Sequence, residues 1–350
     1  MLVAGKDTIT QADTVMRELQ RMSQYEPDWD WKTVAVIGRR WEDLEPVRAW
    51  CEMQGISVQI HRDKPLPFWS LRETQCFVDW CFAQDGRLLD RAAWATWLSE
   101  RPVGPCWDLL REALDAYGLI AGDAEQSIET ILDWLAEWGR DLRQRQTGLL
   151  LATAHGAKGL EFAHVAVLDG DWMRYQKGED PDSPRRLYYV AMTRAKKTLL
   201  LAHKEASNAL LDTLPNSIAL LPRSSEHHVA NNPELHHTYA TLSMADVDLG
   251  FAGRKNPQDA VHARIKALQP GDFLKVDFAS RTIFDSAGNP IGRLATSYQA
   301  PVGKRCVRAS VAAILVRTKV RTEEKYRQHT KVERWEVVVP ELVFNSANTN

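Results

Sequence analysis

The chain has 350 residues, 44% of them hydrophobic and 26% charged, with a formal net charge of −2. This is the balance of a globular protein with room for two or three domains, and it excludes a disordered chain. No apolar run approaches the roughly 18 residues of a membrane span. The first residues take on charge too early for a secretory signal, and the five scattered cysteines make no CxxC pair and no metal site. A cytoplasmic location without a membrane partner is expected.

The near-neutral total hides an asymmetry. From Arg254 onward 17 Lys/Arg stand against 9 Asp/Glu, whereas the first 253 residues carry 27 against 37. Such a split points the basic end toward a polyanion.

Residues 1–30 read as a helical lead-in, with a helix over 8–24. TVAVIG (33–38) is a β-branched apolar run followed by Arg39 and Arg40. LEPVRAWCEMQG (44–55) is an amphipathic helix closed by Gly55, and ISVQI (56–60) is a second strand. This strand–loop–helix–strand alternation makes parallel sheets. From about 66 to 145 the pattern turns to helices rich in tryptophan (Trp69, Trp80, Trp94, Trp97, Trp107, Trp134 and Trp138). Their helical spacing speaks for core packing rather than base stacking. LLLAT (149–153) and HVAVLDG (164–170) resume the sheet. Ser183 is the expected cap of a helix with Pro184 at its first position, and KTLLLAH (197–203) is one more strand. Residues 206–253 read as a connector, in which the His pairs at 227–228 and 236–237 are solvated. From 254 to 350 a basic β-rich domain is expected, with four or five short antiparallel strands in a small barrel or sandwich. SAGN (286–289) is a hairpin turn, and the Lys/Arg-dense RTKVRTEEKYRQHTKVER (317–334) lies between two strands.

Two stretches carry chemistry. In TAHGAKGLEF (153–162) a strand ends at Thr153 and the chain turns through Gly156 and Gly159, where backbone amides can approach an anion. Lys158 adds a positive charge, Glu161 a carboxylate and His155 a donor. In RRLYYVAMTRAKKTLLL (185–201), Arg194 stands between a helix and a strand, expected at the C-terminal edge of the sheet. Its planar fork suits a phosphoryl group and could stabilise charge on a γ-phosphate. Arg185, Arg186 and Lys196 read as surface charges, Tyr188 and Tyr189 as packing residues. A phosphate-cradling G-x-x-x-x-G-K-[ST] loop is missing: Gly5-Lys6 and Gly303-Lys304 are the only Gly-Lys pairs, and neither is followed by Ser or Thr.

These two stretches resemble motifs V (T-x-H-x-x-K-G-L-E-F) and VI (R-R-L-x-Y-V-A-x-T-R-A) of the UvrD/Rep-type superfamily 1 DNA helicases. TVAVIGRRWEDLEPVRAWCEMQGISVQI resembles motif IV, with Gly38 and Trp41 in place of the commoner Tyr and Asn. The resemblance covers about residues 30–205, and the tail is similar to the C-terminal region of large bacterial RecQ-type helicases with a UvrD-like segment. It implies a RecA-like 2A domain at 31–205, with the helical stretch at the place of the 2B insertion.

By this resemblance Arg194 contacts the γ-phosphate with Arg39 as its companion, Glu161 lies near the ribose with Lys158 and Gly159 shaping the loop, and Thr153 and His155 face DNA. ATP and Mg²⁺ would be shared with a Walker A domain in cis or trans that this chain lacks, so negligible ATPase is expected from it alone. The chain is expected to be the C-terminal part of a longer helicase, a split subunit or a degenerate domain. DNA, single-stranded or at a junction, is the expected partner, met also by Lys304, Arg305, Arg308, Arg317, Lys319, Arg321, Lys325 and Arg327. The alternative is a non-catalytic nucleic-acid-binding or adaptor protein on a degenerate helicase fold.

Overall fold

The computed structural model describes residues 2–5, 7–60, 66–84, 88–122, 124–140, 148–174, 178, 180–204, 209–212, 221–223 and 232–346. In chain order the elements are β1 (Leu2–Gly5), α1 (Thr8–Tyr25), β2 (Val34–Gly38), α2 (Trp41–Gln54), β3 (Val58–Ile60), α3 (Arg72–Phe82), β4 (Leu88–Leu89), α4 (Arg91–Ser99), α5 (Pro105–Ala121), β5 (Gln126–Ser127) and α6 (Ile128–Arg140). There follow β6 (Leu149–Thr153), β7 (Phe162–Val167), α7 (Ser183–Met192), β8 (Ala195–Lys204), α8 (Ala209–Asp212), β9 (Pro222–Arg223) and β10 (Thr238–Thr241). The chain ends with α9 (Ala260–Ala267), β11 (Lys275–Asp277), β12 (Thr282–Phe284), β13 (Pro290–Arg293), β14 (Lys304–Thr318), α10 (Glu324–Arg327) and β15 (Arg334–Ser346). They gather into two compact units. The first takes Met1–Asp63, Gln144–Thr238 and Asn345–Asn350; the second takes Lys64–Arg143 and Tyr239–Phe344.

The first unit is a parallel sheet in the order β3-β6-β2-β7-β8-β1-β9, its five-strand centre running from β3 to β8. Every residue of β2 is buried, the unbroken apolar run of a parallel strand covered on both faces. Helix α2 stops at Gly55, whose φ of +67° is the left-handed closing turn that glycine adopts without strain. The lead-in proves to be part of this sheet: β1 pairs with β8, Leu2 opposite Leu201, and α1 buries Ala12, Val15, Met16 and Leu19. A four-residue strand leaves too short a periodicity to be read in the sequence. Asp13 of α1 is buried and accepts from Trp50 Nε1 at 3.0 Å and Arg17 Nε at 2.7 Å, so α1 is tied to α2. Helix α7 begins one residue earlier than expected, with Asp182 at the cap position and Ser183 inside the helix.

The second unit corrects the expected domain plan. The sequence separates the tryptophan-rich helices from the β-rich tail, yet they share one hydrophobic core in which Phe77, Trp94 and Ile131 belong with Ile265, Val311 and Trp335. Leu71 bridges to Leu315 of β14. Arg72 donates bidentately to Glu336 at 2.6 and 2.8 Å and reaches the carbonyls of Leu268 and Ile265, both at 2.6 Å. The buried apolar residues of each half complete the core of the other. The packing role of the tryptophans holds: Trp80, Trp97 and Trp107 form one ring chain with Phe77, and Trp94, Tyr117, Trp134 and Trp138 another that ends on Phe68. The tail strands form two three-stranded sheets, β10-β15-β14 and β11-β12-β13. The turn Asp285–Asn289 closes the hairpin, Asp285 N donating to Asn289 O at 2.9 Å. No helix among the described residues is long and apolar enough to cross a membrane. Cys51, Cys81 and Cys106 are free and buried, and burial pushes their thiols up to about 12.

Candidate functional site

In the first unit the loop 154–161 runs from one edge of the sheet to the other. Thr153 closes β6 opposite Gly38 of β2, and Ala154 N donates to Gly38 O at 3.2 Å. The loop then tightens in short turns: Gly156 N to Thr153 Oγ1 at 3.3 Å, Ala157 N to Thr153 O at 2.9 Å, and Leu160 N to Ala157 O at 3.1 Å. Gly159 takes φ +85° with no atom near the place of a side chain, and the chain arrives at the amino end of β7. Lys158, Gly159 and Glu161 are exposed here.

Arg194 lies at this amino edge. Phe162 N donates to Arg194 O at 2.9 Å, and Arg194 precedes β8, so its expected place at the C-terminal edge is corrected: the strand begins after the arginine and runs away from it. The guanidinium donates from Nε to Val190 O at 2.9 Å, from one Nη to Leu160 O at 3.1 Å and from the other to Thr193 Oγ1 at 3.1 Å. The loop and the end of α7 thus hold the fork between them. Of the five N–H donors of an arginine, three are committed and two remain for an incoming acceptor. Glu161 stands beside it in an exposed ion pair with Lys196 at 2.8 Å, and that hydrogen bond holds its carboxyl below the usual range. Lys196, read in the sequence as a bystander, is therefore part of the cluster; its strand position opposite the loop carried no signal in the motif.

Arg39 is not part of it. Val34 lies opposite His164 and Phe162 opposite Ala195, so Arg39, after the carboxyl end of β2, stands about eight strand residues, roughly 25 Å, from Arg194. The two arginines cannot share one phosphate from these places. Arg39 instead shares the carboxyl edge with Thr153 and the exposed His155, and its Nη donates to Arg174 O at 3.1 Å. The structure separates the motif residues into an amino-edge group (Gly159, Glu161, Arg194, Lys196) and a carboxyl-edge group (Arg39, Thr153, His155), joined by one eight-residue loop. Tyr188 is buried edge-on against Trp172. Tyr189, expected to pack, is 66% exposed, because it falls on the outer face of α7.

The basic residues of the tail also fall into two groups. Lys304, Arg305 and Arg308 lie near the start of the 15-residue strand β14; Arg317 lies near its end, with Lys319, Arg321, Lys325 and Arg327 in the hairpin beyond. Lys304 and Arg317 stand thirteen residue steps apart along the extended strand, up to roughly 40 Å. Lys319 pairs with Glu333 at 3.3 Å and Lys325 with Glu323 at 2.9 Å. Arg327 is folded back on the carbonyls of Val320 and Thr322, while Arg305 and Arg321 are exposed and have no side-chain hydrogen bond or ion pair among the described residues. His227 and His228 lie outside the described residues, and no cluster of three metal-binding side chains occurs among the described ones.

Residues 123–206 match the family model of the UvrD-like helicase C-terminal domain. That span holds α6, β6, the 154–161 loop, β7, α7 and β8, and so both motif stretches. Among solved structures, the C-terminal domain of a possible DNA helicase from Lactobacillus plantarum WCFS1 is similar at 16% identity and a TM-score of 0.31, over 61% of this chain and 80% of that one. No curated protein matches the sequence.

Proposed function

We propose that this chain is the motor half of an ATP-dependent DNA helicase that supplies the arginine side of a nucleotide cleft to a Walker A domain on another polypeptide segment. The observation that supports it is the fixed Arg194 fork, held by the loop carbonyl of Leu160 with two donors left open and Glu161 alongside, inside the span that matches the helicase domain. ATP bound by the partner domain would bring its γ-phosphate to Arg194 and its ribose to Glu161, and the Mg²⁺ would come with the partner's acidic residues. What this chain contributes is a preorganised positive group at the point where charge grows during phosphoryl transfer. The loop would link that event to a DNA strand at Thr153 and His155, with Arg39 at the same edge as a phosphate contact instead of a second γ-phosphate arginine. The reading of a non-catalytic DNA-binding protein draws on one observation, that Arg39 and Arg194 do not converge.

The test is DNA-stimulated ATP hydrolysis by the chain alone, with single-strand DNA binding followed over a salt series. Binding that weakens steeply with salt, without hydrolysis, is the expected outcome. Hydrolysis above background would overturn the half-motor reading, and absence of both binding and hydrolysis would overturn the DNA-motor assignment.

A further inference from the structure

The second unit has a cavity of about 470 Å³ at the end of β14, open to solvent past exposed lining residues such as Arg293 and Tyr326, a size suited to a small-molecule ligand. Its charges do not balance. Asp248 is taken by Arg254, and Glu323 by Lys325 at 2.9 Å. Arg293 lines the cavity with no side-chain hydrogen bond or ion pair among the described residues. Arg317 has a buried Nε without an acceptor, and its Nη reaches only the carbonyl of Arg321 at 3.5 Å, the limit of a hydrogen bond. Burial, and then the neighbouring Arg321, bring its pKa below the ordinary guanidinium value. A desolvated cation with an open donor costs free energy until an anion meets it.

The walls suit a particular anion. Trp335 is 3% exposed and locked by its Nε1 donating to Leu249 O at 2.7 Å, which makes a rigid apolar floor. Tyr326 at the mouth is 56% exposed, with the Lys325 ammonium over one face of its ring, 4.7 Å from the centre, and the opposite face of an exposed ring next to a cation is a platform for a base.

We propose that this cavity binds a nucleotide through its phosphate, Arg293 and Arg317 holding the phosphate and Tyr326 the base. The site stands on the second unit's own chemistry and is independent of the Arg194 cluster. A free nucleotide and the phosphorylated end of a DNA strand offer the same group, a phosphate monoester next to a base.

The test is calorimetric titration of the full chain with dAMP and with deoxyadenosine, followed by displacement of dAMP with a ten-nucleotide strand carrying or lacking a 5′-phosphate. The monophosphate is expected to bind and the nucleoside to fail. Arg317→Ala and Arg293→Ala should each weaken dAMP about tenfold or more, while Lys275→Ala, an exposed charge outside the cavity, leaves it unchanged. Arg293 is exposed, so its variant keeps the test valid if Arg317→Ala does not fold. Displacement only by the phosphorylated strand assigns the phosphate to a DNA end; displacement by neither strand assigns it to a free nucleotide; both support the site. No binding of dAMP, equal binding of deoxyadenosine, or equal loss in Lys275→Ala would overturn it.

Discussion

At the scale of single residues, His164 shows how burial sets a titration. It sits in β7, 2% exposed, stacked on Trp29 with ring centres 4.3 Å apart, its Nε2 3.2 Å from Glu26 Oε2 and its Nδ1 without a partner. Desolvation outweighs the attraction of Glu26 and holds its pKa below 6.5. As pH falls through 6.5 the unfolded chain therefore takes up the proton first, and the folded state loses stability relative to it. The melting temperature should drop between pH 7.5 and 5.5, and His164→Phe, which keeps the stack, should flatten that slope; an unchanged slope would show that His164 is not its source. Neither the stack nor the contact with Glu26 was legible in the sequence, since Glu26, Trp29 and His164 meet only through the strand order. The Arg194 fork was legible as a residue, from its place in the motif, but its edge of the sheet was not.

At the scale of elements, the 154–161 loop joins the two groups of candidate site residues, and its geometry hangs on Gly159. With φ +85° and open space where a Cβ would go, Gly159→Ala meets strain in the backbone and no clash. It should cost about 1–2 kcal/mol of stability, measured by urea denaturation; a smaller loss would mean that the loop relaxes to another path. The strands β2, β3, β6, β7 and β8 and helix α2 were readable because each has an apolar run or stripe closed by a turn residue, with Gly55 the plainest. What periodicity does not carry is adjacency. That β2 sits between β6 and β7 decides that Arg39 joins Thr153 and leaves Arg194, and no local pattern encodes that order.

At the scale of the molecule, the second unit is assembled from two stretches, Lys64–Arg143 and Tyr239–Phe344, about one core. Their tryptophan spacing and strand alternation were each visible, but a core shared between segments about a hundred residues apart leaves no trace in either one. A fragment of residues 239–346 should therefore show no cooperative thermal transition and should bind a hydrophobic dye, while the full chain melts cooperatively; a fragment melting at the full-chain temperature would refute the shared core. The same interleaving sets a timetable for synthesis. The aromatic helices leave the ribosome first and must wait for roughly 200 further residues before β15 arrives, on the order of 10–40 s at ordinary elongation rates. The first unit can close its sheet in the interval, so the nascent chain passes through a stage with one unit folded and a tryptophan-lined surface uncovered, the stage at which a chaperone would find its client.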